Sequence, residues 1–283
     1  MRITKIEVLN FKRIETAEID VDNNKLLLFG PNGAGKTSLI HALLTLLGYI
    51  SEESGVENII SGLLARSPQS HIRLGADKAT ISAVIDGKKY SLEIDRFAGT
   101  TLYVDGERKD TTLRFSLSYL APCVVRNSVD EELWEISLCP PGINIRDPRI
   151  AELVRREIYL LGIEDFYFDM VKERGHWINL RDLAYGLVRV LGLLLAIYGE
   201  PEILILDTFE AGMHYDLAVD VIKFLTSLPS FVILESHIGL SVKAALKRGW
   251  SVYYVKEGEF IRIRNMDELK NIAYAEARAF AEA

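Results

Sequence analysis

Residues 30–37 read Gly-Pro-Asn-Gly-Ala-Gly-Lys-Thr, and no other segment restricts the fold of this chain as strongly. The apolar run at 25–29 ends in Gly30. Beyond the loop, Leu39, Ile40, Leu43, Leu44, Leu46 and Leu47 recur at helical spacing, with Gly48 as a stop. Glycines at 33 and 35 allow the backbone angles of a tight turn whose N–H groups point inward, and a helix starting near Gly35 adds the positive end of its dipole. Strand, glycine loop and helix in that order predict a phosphate-binding loop within an α/β fold. The expected nucleotide-binding residues are Gly30, Asn32, Gly33, Ala34, Gly35, Lys36, Thr37 and Ser38, joined by Lys12 and Arg13. Lys36 would meet the β- and γ-oxygens of a bound nucleotide as a compact charge, and Thr37 would offer its hydroxyl to Mg2+.

The chain has 283 residues and 49% apolar content, enough for one large α/β domain or two small ones. Its apolar runs, such as 190–198 and 203–206, are too short or too interrupted by charge to span a bilayer, and Met1 leads directly into a strand-like pattern. The expectation is a cytoplasmic protein with no membrane partner. Cys123 and Cys139 fit no zinc or Cys-x-x-Cys spacing and are expected as ordinary thiols. A net charge of −7 argues against a surface that is basic all over. Lys12 and Arg13, or Arg146, Arg149, Arg155 and Arg156, could line a local basic groove, although solvated helix faces are the usual outcome of such runs.

Residues 2–10 and 16–21 alternate as half-buried strands do, whereas 49–76 lacks a clear period and is expected to be irregular, either disordered or a lid over the nucleotide. The runs 79–86, 88–95 and 101–104, with turns at Asp86-Gly87 and Asp105-Gly106, predict an antiparallel layer. After an apolar run at 118–125, residues 129–179 carry helical patterns broken by Cys139-Pro140-Pro141-Gly142 and are expected to form a helical insertion. From 182 onward helices and strands alternate: helix 182–198, strand 202–207, helix 214–227, strand 230–235, helix 239–248, two short strands and a terminal helix. That order implies a mostly parallel sheet. A single domain with three parts is expected: a lobe at 1–128, the insertion at 129–180 and a second lobe at 181–283.

The strand Ile203-Leu204-Ile205-Leu206 ends in Asp207, and a carboxylate at that edge reaches the metal shell beside Thr37. Asp207 is therefore expected to bind the metal with Thr37. Four segments together carry a resemblance: Ile3 to Phe11, the loop at 30–38, the run Ile-Leu-Ile-Leu-Asp-Thr-Phe-Glu-Ala-Gly-Met-His at 203–214, and Glu-Ser-His at 235–237. The chain resembles an ABC-class P-loop ATPase head of the RecF/SMC-like and OLD-like group. The loop marks all P-loop proteins, whereas Asp-x-x-Glu-x-Gly-x-His is much narrower.

The resemblance implies an ATPase that forms a homodimer around ATP and drives or regulates a protein partner or duplex DNA. It implies a signature segment meeting the γ-phosphate of a partner copy, and the matching stretch is Leu183-Ala184-Tyr185-Gly186-Leu187, followed by Arg189. Only Leu183 and Gly186 fit the usual Leu-Ser-Gly-Gly-Gln. The glutamate that normally follows the strand-end aspartate is replaced by Thr208, a poor base at neutral pH, so slow turnover is expected and Glu210 is the leading substitute. His237 stands where the γ-phosphate-sensing histidine of such heads lies, His214 is assigned to the subunit-facing loop, and Asn127 takes the place of the missing loop glutamine. The alternative is a nucleotide-dependent regulatory subunit with little hydrolysis. A transporter subunit would be expected to keep the signature serine, the loop glutamine and the catalytic glutamate. Residues 238–283 are too few for a metal-dependent nuclease domain, so the head is expected to act on a separate partner.

Overall fold

Strands that are apolar on both faces form the centre of the molecule. β3 (Lys25–Phe29), β14 (Ile203–Leu206) and β15 (Phe231–Ser236) send alternate residues into two different cores. Leu26, Leu28, Ile203, Ile205, Phe231 and Ile233 join one, and Leu27, Leu204, Leu206, Val232 and Leu234 join the other. Burial on both sides is what a parallel sheet covered by helices requires. The full sheet has eight strands, adding β8 (Leu117–Leu120), β9 (Val124–Asn127), β10 (Trp134–Ser137), β16 (Ser251–Lys256) and β17 (Glu259–Ile263). Their order is β10-β9-β8-β14-β15-β3-β16-β17. The five strands from β8 to β16 run parallel, and β9, β10 and β17 are antiparallel additions at the edges. The structure is a computed structural model and describes residues 1–64, 67–110, 113–128, 134–138, 148, 151–152, 155–156, 163–167, 170–272 and 274.

A six-stranded antiparallel sheet forms the second layer, in the order β2-β1-β4-β5-β6-β7. It comprises β1 (Ile3–Phe11), β2 (Ile14–Asp20), β4 (Lys78–Ile85), β5 (Lys88–Asp95), β6 (Gly99–Val104) and β7 (Glu107–Arg108). The strands expected at 79–104 and their two Asp-Gly turns are all present. Helix α1 (Lys36–Ile50) is buried over most of its surface because it lies between this sheet and the parallel one, within a single core. On the opposite face, α3 (Tyr185–Ile197), α4 (Tyr215–Ser227) and α5 (Gly239–Leu246) cover the parallel sheet. No helix among the described residues is long and apolar enough to cross a membrane.

Three sequence expectations change. Residues 49–76 were expected to be irregular, but α2 (Ser54–Leu63) buries Val56, Ile59 and Ile60, and a short 3-10 turn follows at Pro68–His71. The helix is short and its apolar stripe narrow, which is why the period was hidden among Ser, Gly and Glu. In the expected helical insertion, residues 148, 151–152 and 155–156 are helical. However, β10 lies near its start, and β11 (Asp165–Tyr167), β12 (Met170–Glu173) and β13 (His176–Asn179) form a three-stranded antiparallel sheet. Its second turn is built on Arg174 and Gly175, both at positive φ, a two-residue hairpin without an Asn-Gly or Asp-Gly signal.

The third change concerns Cys123, which is disulfide-bonded, and there is no free cysteine among the described residues. The antiparallel pairing of β9 with β10 brings position 138 beside Cys123, where the Leu138 N–H donates to the Cys123 carbonyl at 2.7 Å. Cysteine spacing alone could not reveal that register. Cys139 lies outside the described residues, as do Pro140, Pro141, Gly142, Arg146 and Arg149. Of the candidate basic groove, the Arg155 guanidinium lies 5.2 Å from the centre of the Phe166 ring.

Candidate active site

The phosphate loop leaves the end of β3 and runs into α1, as its spacing predicts, with Gly33 at φ 72° and Gly35 at φ 123°. Gly35 serves as the N-cap residue, so the first N–H groups of α1 face the loop's hollow, which Gly33 to Ser38 and Glu235 line. Lys36 is 2% exposed, and its Nζ donates to the carbonyl oxygens of Gly30 and Pro31, each at 2.9 Å. Asn32 is exposed on the rim. The Arg13 guanidinium donates to the Gly33 carbonyl, which places Arg13 at the loop. Lys12 instead reaches His41 on α1.

The neighbouring strand ends supply the acids. Asp207 follows β14 and accepts from the Tyr119 hydroxyl through Oδ2 and from Thr208 Oγ1 through Oδ1, both at 3.0 Å. Burial and the Asp207 charge push the Tyr119 phenol far up, so it stays a donor. Thr208 sits at φ 46° with its hydroxyl committed to Asp207. Glu210 is 6% exposed, and its Oε1 accepts from Ser236 Oγ at 3.1 Å and from the His237 N–H at 2.5 Å. Its Oε2 is buried without a hydrogen-bond partner among the described residues. His237 Nδ1 lies 2.9 Å from the Gly30 carbonyl oxygen, which joins the end of β15 to the start of the loop.

Glu235 was missed as a site residue, although the Glu-Ser-His run contains it. It lies 5% exposed near the end of β15, accepts from Thr37 Oγ1 at 3.0 Å and pairs with Lys36 Nζ at 3.5 Å. Burial pushes its carboxyl above the usual range, helped by Asp207, while burial holds the Lys36 ammonium below its own. Thr37, Asp207 and Glu235 are oxygen donors, the set that suits Mg2+. Among the described residues, no group of three or more His, Cys, Asp or Glu could hold a metal unaided. The hydroxyl and two carboxylates beside the phosphate loop fit a cation that arrives with phosphate oxygens.

Arg189 was noted only as a neighbour of the signature segment, yet it is completely buried. Its guanidinium donates to the Ala121 carbonyl and to those of Asp207 and Thr208, the latter two at 3.3 and 3.1 Å. It thus clamps the turn after β14. Ala184 and Tyr185 start α3, and the Tyr185 hydroxyl donates to the Pro122 carbonyl at 2.7 Å. Gly186 packs so tightly on the same turn that an added Cβ would lie 2.6 Å from the Gly212 carbonyl oxygen. His214 is the exposed N-cap residue of α4, its ring centre 4.1 Å from that of Tyr215 and tilted by 37°.

Asn127 does not take the place of a loop glutamine. Its Nδ2 donates to the carbonyls of Leu195, Ala196 and Tyr198, capping the C-terminus of α3. β9 runs antiparallel to β8, so Asn127 pairs with Ser118 near the start of β8, at the edge of the sheet away from the phosphate loop. Reading 118–125 as one strand hid that reversal.

Comparison with known proteins finds similar sequences and folds. The family described as "AAA ATPase domain" matches residues 1–95, and "AAA domain, putative AbiEii toxin, Type IV TA system" matches residues 141–241. The DNA replication and repair protein RecF of Carboxydothermus hydrogenoformans is 32% identical over 97 residues, covering 34% of this chain and 24% of that protein. The chromosome partition protein Smc of Methanocaldococcus jannaschii is 36% identical over 62 residues, covering 22% and 5%. The chain thus matches only a minor part of the length of either relative. An SMC head bound to the C-winged helix domain of ScpA superposes with a TM-score of 0.64 at 12% identity, covering 93% of this chain and 97% of that one. The SMC head domain of Thermotoga maritima gives 0.57 at 18%, covering 93% and 98%. RecF with ATPrS gives 0.58 at 11%, also covering 93% and 98%. The matched regions of this chain are thus similar to ATPase domains and to parts of RecF and Smc, and its fold is that of the SMC and RecF heads.

Proposed function

We propose that the chain binds ATP with Mg2+, hydrolyses it slowly, and forms a homodimer around the nucleotide that drives or regulates a protein partner or duplex DNA. One observation carries the reading: a phosphate loop with its lysine and threonine in place stands beside a buried carboxylate, Glu210, that has one oxygen free among the described residues. Thr37 and Asp207 would hold the cation, which when bound would offset phosphate charge during transfer. Lys36 exchanges its Gly30 and Pro31 carbonyls for phosphate oxygens. Glu210 is oriented by Ser236 and the His237 N–H, and its free Oε2 has the lone pairs to orient a water and accept its proton. His237, tied to Gly30, senses the state of the loop.

In the dimer, Ala184, Tyr185 and Gly186 would face the γ-phosphate of the second copy through the N-terminus of α3. Arg189 then links that segment to the Asp207 turn inside one chain. The regulatory reading, with little hydrolysis, draws support from Thr208, whose hydroxyl is engaged with Asp207 where a base would be expected.

Steady-state ATP turnover of the wild type, Lys36→Ala and Glu210→Gln, with and without linear duplex DNA, tests the proposal. Turnover abolished by both changes and raised by DNA supports a DNA-linked hydrolase. A wild type that binds ATP but turns over no faster than Glu210→Gln supports the regulatory reading.

A further inference from the structure

Glu235 is an unusual residue to place next to a phosphate site. The alternation of β15 puts it on the face where Phe231 and Ile233 enter the core below α1, so the strand delivers a carboxylate toward the nucleotide's polyanion. A carboxylate 5% exposed is costly to keep charged, and the nearby Asp207 adds repulsion. Its Oε2 lies 3.0 Å from Thr37 Oγ1, while Oε1 lies 3.5 Å from Lys36 Nζ and 3.8 Å from His237 Nε2. Among the described residues, Lys36 is therefore the nearest full positive charge offsetting it.

We propose that Glu235 is a ligand of the nucleotide's divalent cation, sharing that ion with Thr37 and Asp207. This rests on the nucleotide-binding reading above. Adjacent oxygens around an octahedral Mg2+, each at about 2.1 Å, are separated by about 3.0 Å. Thr37 Oγ1 and Glu235 Oε2 already stand at that separation. If phosphates engage Lys36, Glu235 would lose its counter-charge, and Glu235, Thr37 and Asp207 would hold a cation that replaces it. Cation and nucleotide then bind cooperatively, each strengthening the other by the same factor. A residue that only tethered Lys36 and Thr37 would behave differently, because its loss would loosen the loop whether or not metal was present.

The experiment uses the full chain and a slowly hydrolysed ATP analogue, with affinity measured in chelator and again against rising Mn2+, and with Mn2+ bound to the complex followed by electron paramagnetic resonance. Glu235→Gln is nearly isosteric and removes the charge. It is expected to bind the analogue at least as tightly as wild type in chelator, while its complex binds Mn2+ about tenfold or more weakly, with an altered spectrum. Glu235→Asp, which keeps the charge but draws the oxygens back, is expected to fall between the two and covers the case where the glutamine variant does not fold. An unchanged Mn2+ affinity and spectrum in both variants overturns the assignment while leaving nucleotide binding intact. A loss of analogue affinity in chelator that equals the loss with metal also overturns it, in favour of a tether. If the wild type binds no analogue under either condition, the nucleotide-binding reading itself fails.

Discussion

The phosphate loop and the turn after β14 face each other across β15, and they are built in opposite ways. The loop is a contiguous stretch whose work is done by backbone: Lys36 folds onto two carbonyls of its own loop, and α1 begins where the glycines end. The turn depends on side chains from distant parts of the chain. Tyr119 holds Asp207, Arg189 holds the carbonyls of Asp207 and Thr208, and Ser236 with the His237 N–H holds Glu210. One half of the centre is encoded locally and the other by tertiary structure, so damage should spread differently from each.

Lys36→Ala should produce the largest effect, with ATP turnover falling to background and ATP affinity lost, as read by calorimetry. Glu210→Gln should lower turnover by about 10²- to 10⁴-fold while ATP binding is retained. If binding fails as well, Glu210 belongs with the loop rather than opposite it. Arg189→Met tests the side-chain half from outside the chemistry. It should lower turnover by roughly tenfold and cost about 2–4 kcal/mol in denaturant unfolding, because three carbonyls lose their donor. Arg189→Lys should not restore it, since an ammonium cannot span three acceptors as a planar fork does.

Gly212→Ala should cost about 1–3 kcal/mol, because the residue is at φ 74° and a Cβ would come within 2.2 Å of the Tyr185 ring. Adding Tyr185→Ala should recover the part due to the clash, leaving the backbone strain. The smallest effect concerns His41, whose pKa burial, with a contribution from Lys12, lowers to about 4 from the ordinary 6.5. The unfolded chain takes up this proton at a higher pH than the folded one. The contribution is therefore fully present above 6.5 and lost as pH falls through 4. His41→Gln should flatten the fall in urea midpoint across that window.

The same contrast decides what could be read in advance. The loop, α1, the Asp207 strand and the antiparallel layer were legible because each is a local pattern: a glycine spacing, a run buried on both faces, or an Asp-Gly turn. Glu235, Tyr119 and the full role of Arg189 were not, because each acts across strands whose neighbours the sequence does not name. Asn127 failed for a related reason, since a chain reversal between 120 and 124 moved it to the far edge of the sheet. Cys123 shows the same limit, because cysteine spacing does not say which thiols are oxidised.

The position of β15 has one more consequence. Neighbouring strands lie about 4.8 Å apart, so a strand hydrogen-bonded to β14 on one side and β3 on the other sets the two halves of the centre roughly 9.6 Å apart. That width is fixed by main-chain pairing and acts as a built-in ruler. Side-chain replacement can change which groups stand at either end of it, but only a slip of a whole strand could change the length of ligand it accepts.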